Sequence, residues 1–277
     1  MDHKEYEALK AKEWEYAVSR VEAIKNSKDP LIRYRNNRPI IDLKHMFETS
    51  VELFGDRPAF HTKDEHGGVY RQITYKEAKA DVDALGTALI NLGLKGKPIA
   101  IIGENSYRWA ISYLAVTCGT GIVVPLDKEL SAEELEQLVD KGEVECVIFD
   151  KKFEPVFSDI KARKKTKLAF LVNMEAAEHS DTVLSYGKLI ESGRQLLEEG
   201  NREFVDAVIE RDAMNILLFT SGTTGVSKGV MLSHGNIVED LMASPTLVNV
   251  TPEDVFFSVL PIHHTYECTC GFLMPLY

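Results

Sequence analysis

Positive charge is what this chain of 277 residues most plainly lacks: 32 Lys and Arg stand against 43 Asp and Glu, a formal net charge of -11. A nucleic-acid backbone is bound mainly by surplus Lys and Arg, so nucleic acid is excluded as a partner. The one basic run (Lys161, Arg163, Lys164, Lys165, Lys167) is short and reads as solvated surface. Long apolar runs are missing as well. No stretch of about 18 apolar residues is present to span a membrane, and the opening MDHKEYEALKAKEWEYAVSR has no apolar core of a secretory signal. The cytoplasm is therefore the expected location, with peripheral membrane association and oligomeric state left open. Cysteine is scarce too. Cys118, Cys146, Cys268 and Cys270 read as reduced thiols that fill the core.

What is present, with 44% hydrophobic residues, is enough to bury one large core or two moderate ones. Residues 1–40 read as a helical leader running to the loop-forming NSKDP, followed by a short basic stretch. Thr74 and Glu77 have capping-box spacing, and Ala78, Val82, Leu85, Leu89 and Leu92 then recur at gaps of four and three, with Gly93 placed to end the helix. Beyond it, apolar runs at Ile99 to Ile102, Ile122 to Leu126, Val144 to Phe149 and Leu168 to Val172 alternate with helix-length segments. One of those segments starts at the capping-box pair Ser131 and Glu134, and another spans Tyr186 to Leu197. This rhythm predicts an α/β fold on a mostly parallel sheet flanked by helices. Further strands are expected at Ile216 to Phe219, Val230 to Leu232 and Val255 to Leu260, with a helix around Asn236 to Met242.

The segment LLFTSGTTGVSKGVMLSH, from Leu217 to His234, carries the chemistry. Gly222 and Gly225 let the main chain approach a ligand so that successive N–H groups converge on anionic oxygens. Thr220, Ser221, Thr223 and Thr224 supply hydroxyls, and Lys228 a positive charge to offset polyphosphate. A Gly/Thr-rich hairpin turn would account for the glycines, but not for hydroxyls and lysine together. A Walker loop needs Gly directly before the Lys, and position 227 is Ser. No GxGxxG is found anywhere.

TSGTTGVSKGV followed by MLSHGNI resembles the phosphate-binding motif of the adenylate-forming family of acyl-CoA synthetases, luciferases and peptide-synthetase adenylation domains. LPIHHTYE, Leu260 to Glu267, is similar to the family's second motif, closest to long-chain fatty-acyl-CoA ligases, with weaker echoes in ITYKEA and IAIIGENSYRW. One departure is Ser227, where the family usually has Pro. The resemblance implies a two-step reaction: a fatty-acid carboxylate attacks the α-phosphate of ATP to give an acyl-adenylate, and coenzyme A then displaces AMP. It implies further that Thr220 to Lys228 hold the β- and γ-phosphates with Mg²⁺ nearby, that His264 sits at the carboxylate end of the site, and that Tyr266 lines the acyl pocket.

By the same resemblance the fold consists of two similar lobes of mostly parallel sheet, the second incomplete. Residues 41–277 form a truncated adenylating domain, with 96–235 as its first lobe and 41–95 packing with 236–277 in the second. The apolar ending GFLMPLY suggests a fragment, expected to be inactive alone. His263, His264, Cys268 and Cys270 do not have usual zinc spacing, and no metal is assigned to them. An enzyme activating aryl or amino acids, a non-catalytic nucleotide-binding module, and a structural domain with an idle loop remain open.

Overall fold

The computed structural model describes residues 3–63, 68–220 and 227–277. Seven strands form one sheet: β3 (Pro98–Ile102), β4 (Ile122–Pro125), β5 (Cys146–Phe149), β6 (Phe170–Asn173), β7 (Leu184–Ser185), β8 (Met214–Thr220) and β9 (Lys228–Ser233). Their spatial order is β7-β6-β5-β3-β4-β8-β9. Every neighbouring pair is parallel except β8 and β9. The five strands from β3 to β7 repeat the 2-1-3-4-5 order of doubly wound folds.

Period-two alternation divides the strands between two cores. Ile99, Ile101, Val123, Cys146 and Ile148 face one side, and Ala100, Ile102, Val124, Val147 and Phe149 face the other. The second side is covered by α5 (Ala132–Lys141) and α6 (Glu154–Arg163), which contribute Leu135, Leu138, Phe157 and Ile160. The first carries α2 (Leu43–Phe54), α3 (Tyr75–Asn91), α4 (Tyr107–Ala115), α7 (Tyr186–Glu198) and α8 (His234–Ala243). Both expected capping boxes form, Thr74 with Glu77 and Ser131 with Glu134, and Gly93 follows α3 at φ 83°. Helices α3 and α7 approach so closely at Gly193 that a Cβ there would lie 1.8 Å from the Ala84 carbonyl oxygen.

The leader is part of this core. Helix α1 (His3–Asn26) buries Ala17, Val21 and Ile24, a gap of four and then three, while Arg20 Nε donates to Glu239 on α8 at 3.1 Å and Trp14 meets His45 of α2 edge-on at 5.7 Å. Residues from 41–95 and 236–277 also touch. The Tyr75 hydroxyl donates to the Leu276 carbonyl at 3.4 Å, and the Phe60 and Phe272 rings lie 6.4 Å apart.

One expectation needs correction. Val255 to Leu260 forms no strand, and Val255, Phe257 and Val259 are 75%, 81% and 70% exposed. An apolar run favours a strand, whereas pairing requires a neighbour with free N–H and C=O groups, and among the described residues no strand pairs with it. Apart from the seven strands there is the antiparallel pair β1 (Pro58–Lys63) and β2 (Tyr70–Thr74).

Candidate functional site

Ligands in doubly wound sheets bind outside the carboxyl ends of the strands, at the point where the strand order reverses. Here that point lies between β3 and β5, and it is filled. Asp150 accepts from the Glu104 N–H at 2.6 Å, and its Oδ1 stands 2.5 Å from where a Cβ on Gly103 would be, so only glycine fits. The accessible part of the same edge is at β4 and β8. Val123 and Ile216 are opposite one another in parallel register, and Asp127 and Thr220 each stand the same number of residues farther on, at the same end of the sheet.

At that end β8 and β9 form a hairpin in which Thr220 is the partner of Lys228, both exposed. The two ends of the expected phosphate loop are therefore strand partners. Thr220 and Lys228 mark its two sides, while Ser221, Gly222, Thr223, Thr224 and Gly225 lie outside the described residues. A further hold on its exit was not foreseen from sequence: Lys141, in the last turn of α5, donates its ammonium to the Ser227 carbonyl. Beneath, Phe219 and Leu217 pack against the α5 side of the sheet.

The second predicted element, the histidine pair, reaches the same edge. His264 is exposed in a turn where its N–H donates to the Pro261 carbonyl at 3.0 Å and its carbonyl accepts from Cys268 at 2.9 Å. Tyr266 is 70% exposed. His263 is the more enclosed of the two, with Nε2 3.6 Å from Asp127 Oδ1, too far for a hydrogen bond but close enough for a proton on the imidazole to be favoured. Burial pulls its pKa down from the ordinary value, Asp127 pushes it up, and His264 and Lys128 pull it down again. The two imidazole rings lie 4.3 Å apart. Beside them Lys128 and Lys152 both bind Glu104, the latter at 2.7 Å, and hydrogen bonding to Lys128 holds the Glu104 carboxyl below its ordinary range.

Sequence reasoning singled out His264; it gave no role to His263, Asp127, Lys128 or Asn105. Asn105 falls in the IAIIGENSYRW segment, so the resemblance pointed at its neighbourhood. Asp127 and Lys128 had no signal beyond standing just past a strand. The cysteines are unbridged, with Cys118, Cys146 and Cys268 buried. Among the described residues no group of three His, Cys, Asp or Glu side chains comes together as a metal site, and no helix is long and apolar enough to cross a membrane.

Such a hairpin on the carboxyl edge of a doubly wound sheet places the chain within a known architecture. The crystal structure of the anthranilate CoA ligase AuaEII in complex with anthranoyl-AMP superposes with a TM-score of 0.74 at 18% identity, over 89% of this chain and 44% of that one, and the fold is that of adenylate-forming enzymes. The sequence profile of the AMP-binding enzyme family matches residues 47–277, and the chain belongs to that family. Among curated relatives, long-chain-fatty-acid–CoA ligase 1 of Homo sapiens is 27% identical over 271 residues, 90% of this chain and 37% of that protein. The chloroplastic long-chain-fatty-acid–[acyl-carrier-protein] ligase AEE15 of Arabidopsis thaliana is 29% identical over 249 residues, 82% of this chain and 34% of that protein. The chain thus spans about a third of the length of these relatives.

Proposed function

We propose that this chain is the amino-terminal part of a long-chain fatty-acid–CoA ligase, which joins a fatty-acid carboxylate to ATP as an acyl-adenylate and passes the acyl group to coenzyme A. The observation that carries the reading is the hairpin that sets Thr220 against Lys228 at the carboxyl edge of the sheet, with the histidine turn on the same edge. Negative charge accumulates on the leaving pyrophosphate in the transition state, and N–H, hydroxyl and ammonium donors aimed at it lower the barrier. Lys228, with Thr220 opposite, stands where such donors are needed, and the loop between them would supply the rest. Mg²⁺ would come bound to the ATP phosphates, as such ions are commonly held through substrate oxygens, and would neutralise part of their charge. His264, exposed at the edge, would donate to the carboxylate or to the forming acyl phosphate, and Tyr266 would line the acyl side.

The long-chain acid and the thiol acceptor rest on the relatives, which share a fatty acid but differ between coenzyme A and an acyl-carrier protein. Grouping 41–95 with 236–277 as part of a second lobe, and a cytoplasmic location, belong to the same proposal. The test is carboxylate-dependent exchange of labelled pyrophosphate into ATP by the complete enzyme, with long-chain, short-chain and aromatic acids in parallel. Exchange driven best by long-chain acids is expected. Exchange with aromatic or short-chain acids alone would replace the substrate class, and ATP binding without exchange for any acid would make the protein a nucleotide-binding module.

A further inference from the structure

Asn105 stands in the turn between β3 and α4, and its carboxamide is spent entirely on one distant segment. Nδ2 donates to Ser258 Oγ at 2.8 Å and to the Leu260 carbonyl at 2.7 Å, and Oδ1 accepts from the Ile262 N–H at 3.1 Å. Both donor hydrogens and the acceptor of a single side chain are thereby committed to residues 258–262. Ser258 in turn donates to Glu267 Oε1 at 2.6 Å, and Glu267 is buried. The chain of contacts from Asn105 through Ser258 to Glu267 encloses the turn that bears His263 and His264.

This segment has little else to hold it. It belongs to no strand, and Val255, Phe257, Val259 and Leu260 are exposed. Ile262 is its buried anchor, and His263 approaches Asp127 without reaching hydrogen-bond distance. Where packing does not fix a backbone, hydrogen bonds from a rigid neighbour must, and Asn105 is mounted directly on the central strand of the sheet.

We infer that Asn105 is a positioning residue: by clamping residues 258–262 it fixes the His263–His264 turn on the carboxyl edge of the sheet beside the phosphate hairpin. The inference rests on the adenylation reading for its effect on turnover, and on geometry alone for its effect on the turn. Asn105 acts through that turn and touches no reacting atom.

The experiment compares N105A and N105D with the unchanged protein in the complete enzyme. N105D fills the same space and keeps an acceptor for Ile262 while losing both donors, so it separates the clamp from side-chain volume and serves where the alanine variant fails to fold. Two quantities are read. One is kcat and the ATP KM of pyrophosphate exchange, where kcat falls roughly ten- to a hundredfold with KM unchanged. The other is the rate at which diethyl pyrocarbonate modifies His263, which rises in both variants while fully buried His234 stays protected and reports an intact fold. Unchanged His263 reactivity overturns the inference, as does unchanged kcat in an enzyme that exchanges pyrophosphate. If the unchanged enzyme shows no exchange with any acid, the adenylation reading fails by itself, and His263 reactivity alone then decides whether Asn105 positions the turn.

Discussion

The two flanks of the sheet are built on different terms. Around β3 and β5 the strands are covered on both faces, and Ile99, Ala100, Ile101, Ile102, Val147 and Ile148 are all 0% exposed. On the other flank β9 is an edge strand with Met231 70% exposed, and the segment after α8 leaves Phe257 81% exposed. A doubly covered strand is placed by packing, which is dense and intolerant of change. The exit of the edge hairpin and the segment 258–262 are held by individual hydrogen bonds, Lys141 to Ser227 and Asn105 to 258–262. The proposed site lies on the second flank, where side chains are open to a ligand, and the first is the frame beneath it.

The largest effect should come from breaking the frame. Trp109 is 0% exposed, stacks on Tyr113 with ring centroids 5.5 Å apart and meets Phe272 edge-on at 6.3 Å. Trp109→Ala removes the most voluminous buried side chain and leaves a cavity, at a cost of about 4 kcal/mol in urea unfolding. A loss below about 1 kcal/mol would mean that the α4 face is not the tightly packed frame described.

His234 lies at the seam between the flanks, directly after β9, with Nδ1 accepting from the Leu43 N–H of α2 at 3.1 Å. Burial lowers its pKa to about 4 from 6.5. In the folded chain it therefore stays neutral while the unfolded chain takes up a proton, so stability is lost as pH falls from 6.5 towards 4 and is unaffected above that window. The full loss is on the order of 3 kcal/mol for this one group. His234→Asn keeps an acceptor near Leu43 and cannot take the proton, so the difference between the two stability curves, measured by urea titration from pH 8 to pH 4, should shrink towards the acid end. Parallel curves would show that another group governs the acid limb. Half-buried His45, also lowered to about 4, is common to both proteins and cancels in the difference.

Lys228→Ala turns to the second flank. The side chain is exposed at the mouth of the hairpin, so its removal should leave the melting temperature in place while slowing pyrophosphate exchange roughly tenfold, about 1.4 kcal/mol of transition-state stabilisation. Equal rates would show that the ammonium does not face the phosphates.

What was legible in the sequence follows the same division. On the frame, local pattern and final structure agree: the helix after Thr74 keeps its capping box, and Ile99 to Ile102 is an uninterrupted apolar run because both of its faces are covered. The Gly/Thr/Lys motif was legible as a candidate phosphate loop, and the structure sets its flanking residues, Thr220 and Lys228, opposite one another across β8 and β9. Asn105 and Asp127 were not legible as contacts, because they are single polar residues past strand ends whose partners lie far along the chain, and no local period records such a pairing. The capping box of α8 was missed since Asn236 stands where Glu or Gln is the usual signal. Between the adjacent histidines, motif alignment favoured His264, whereas enclosure and the approach to Asp127 distinguish His263.

The smallest effect sharpens the contrast most. Val255 to Leu260 (VFFSVL) is the apolar run of a buried strand, and if the chain packed that way Phe257 would contribute to a core. Its 81% exposure means that folding withdraws little of its ring from water, so Phe257→Ser should change the stability of this chain by no more than about 0.5 kcal/mol. The same substitution inside a packed aromatic cluster would cost several times as much. Urea unfolding of this variant beside Trp109→Ala, in one buffer, therefore measures the difference between the flanks directly. A cost for Phe257→Ser approaching that of Trp109→Ala would require this segment to be packed in solution, and the hydrogen bonds of Asn105 would then not be its principal restraint.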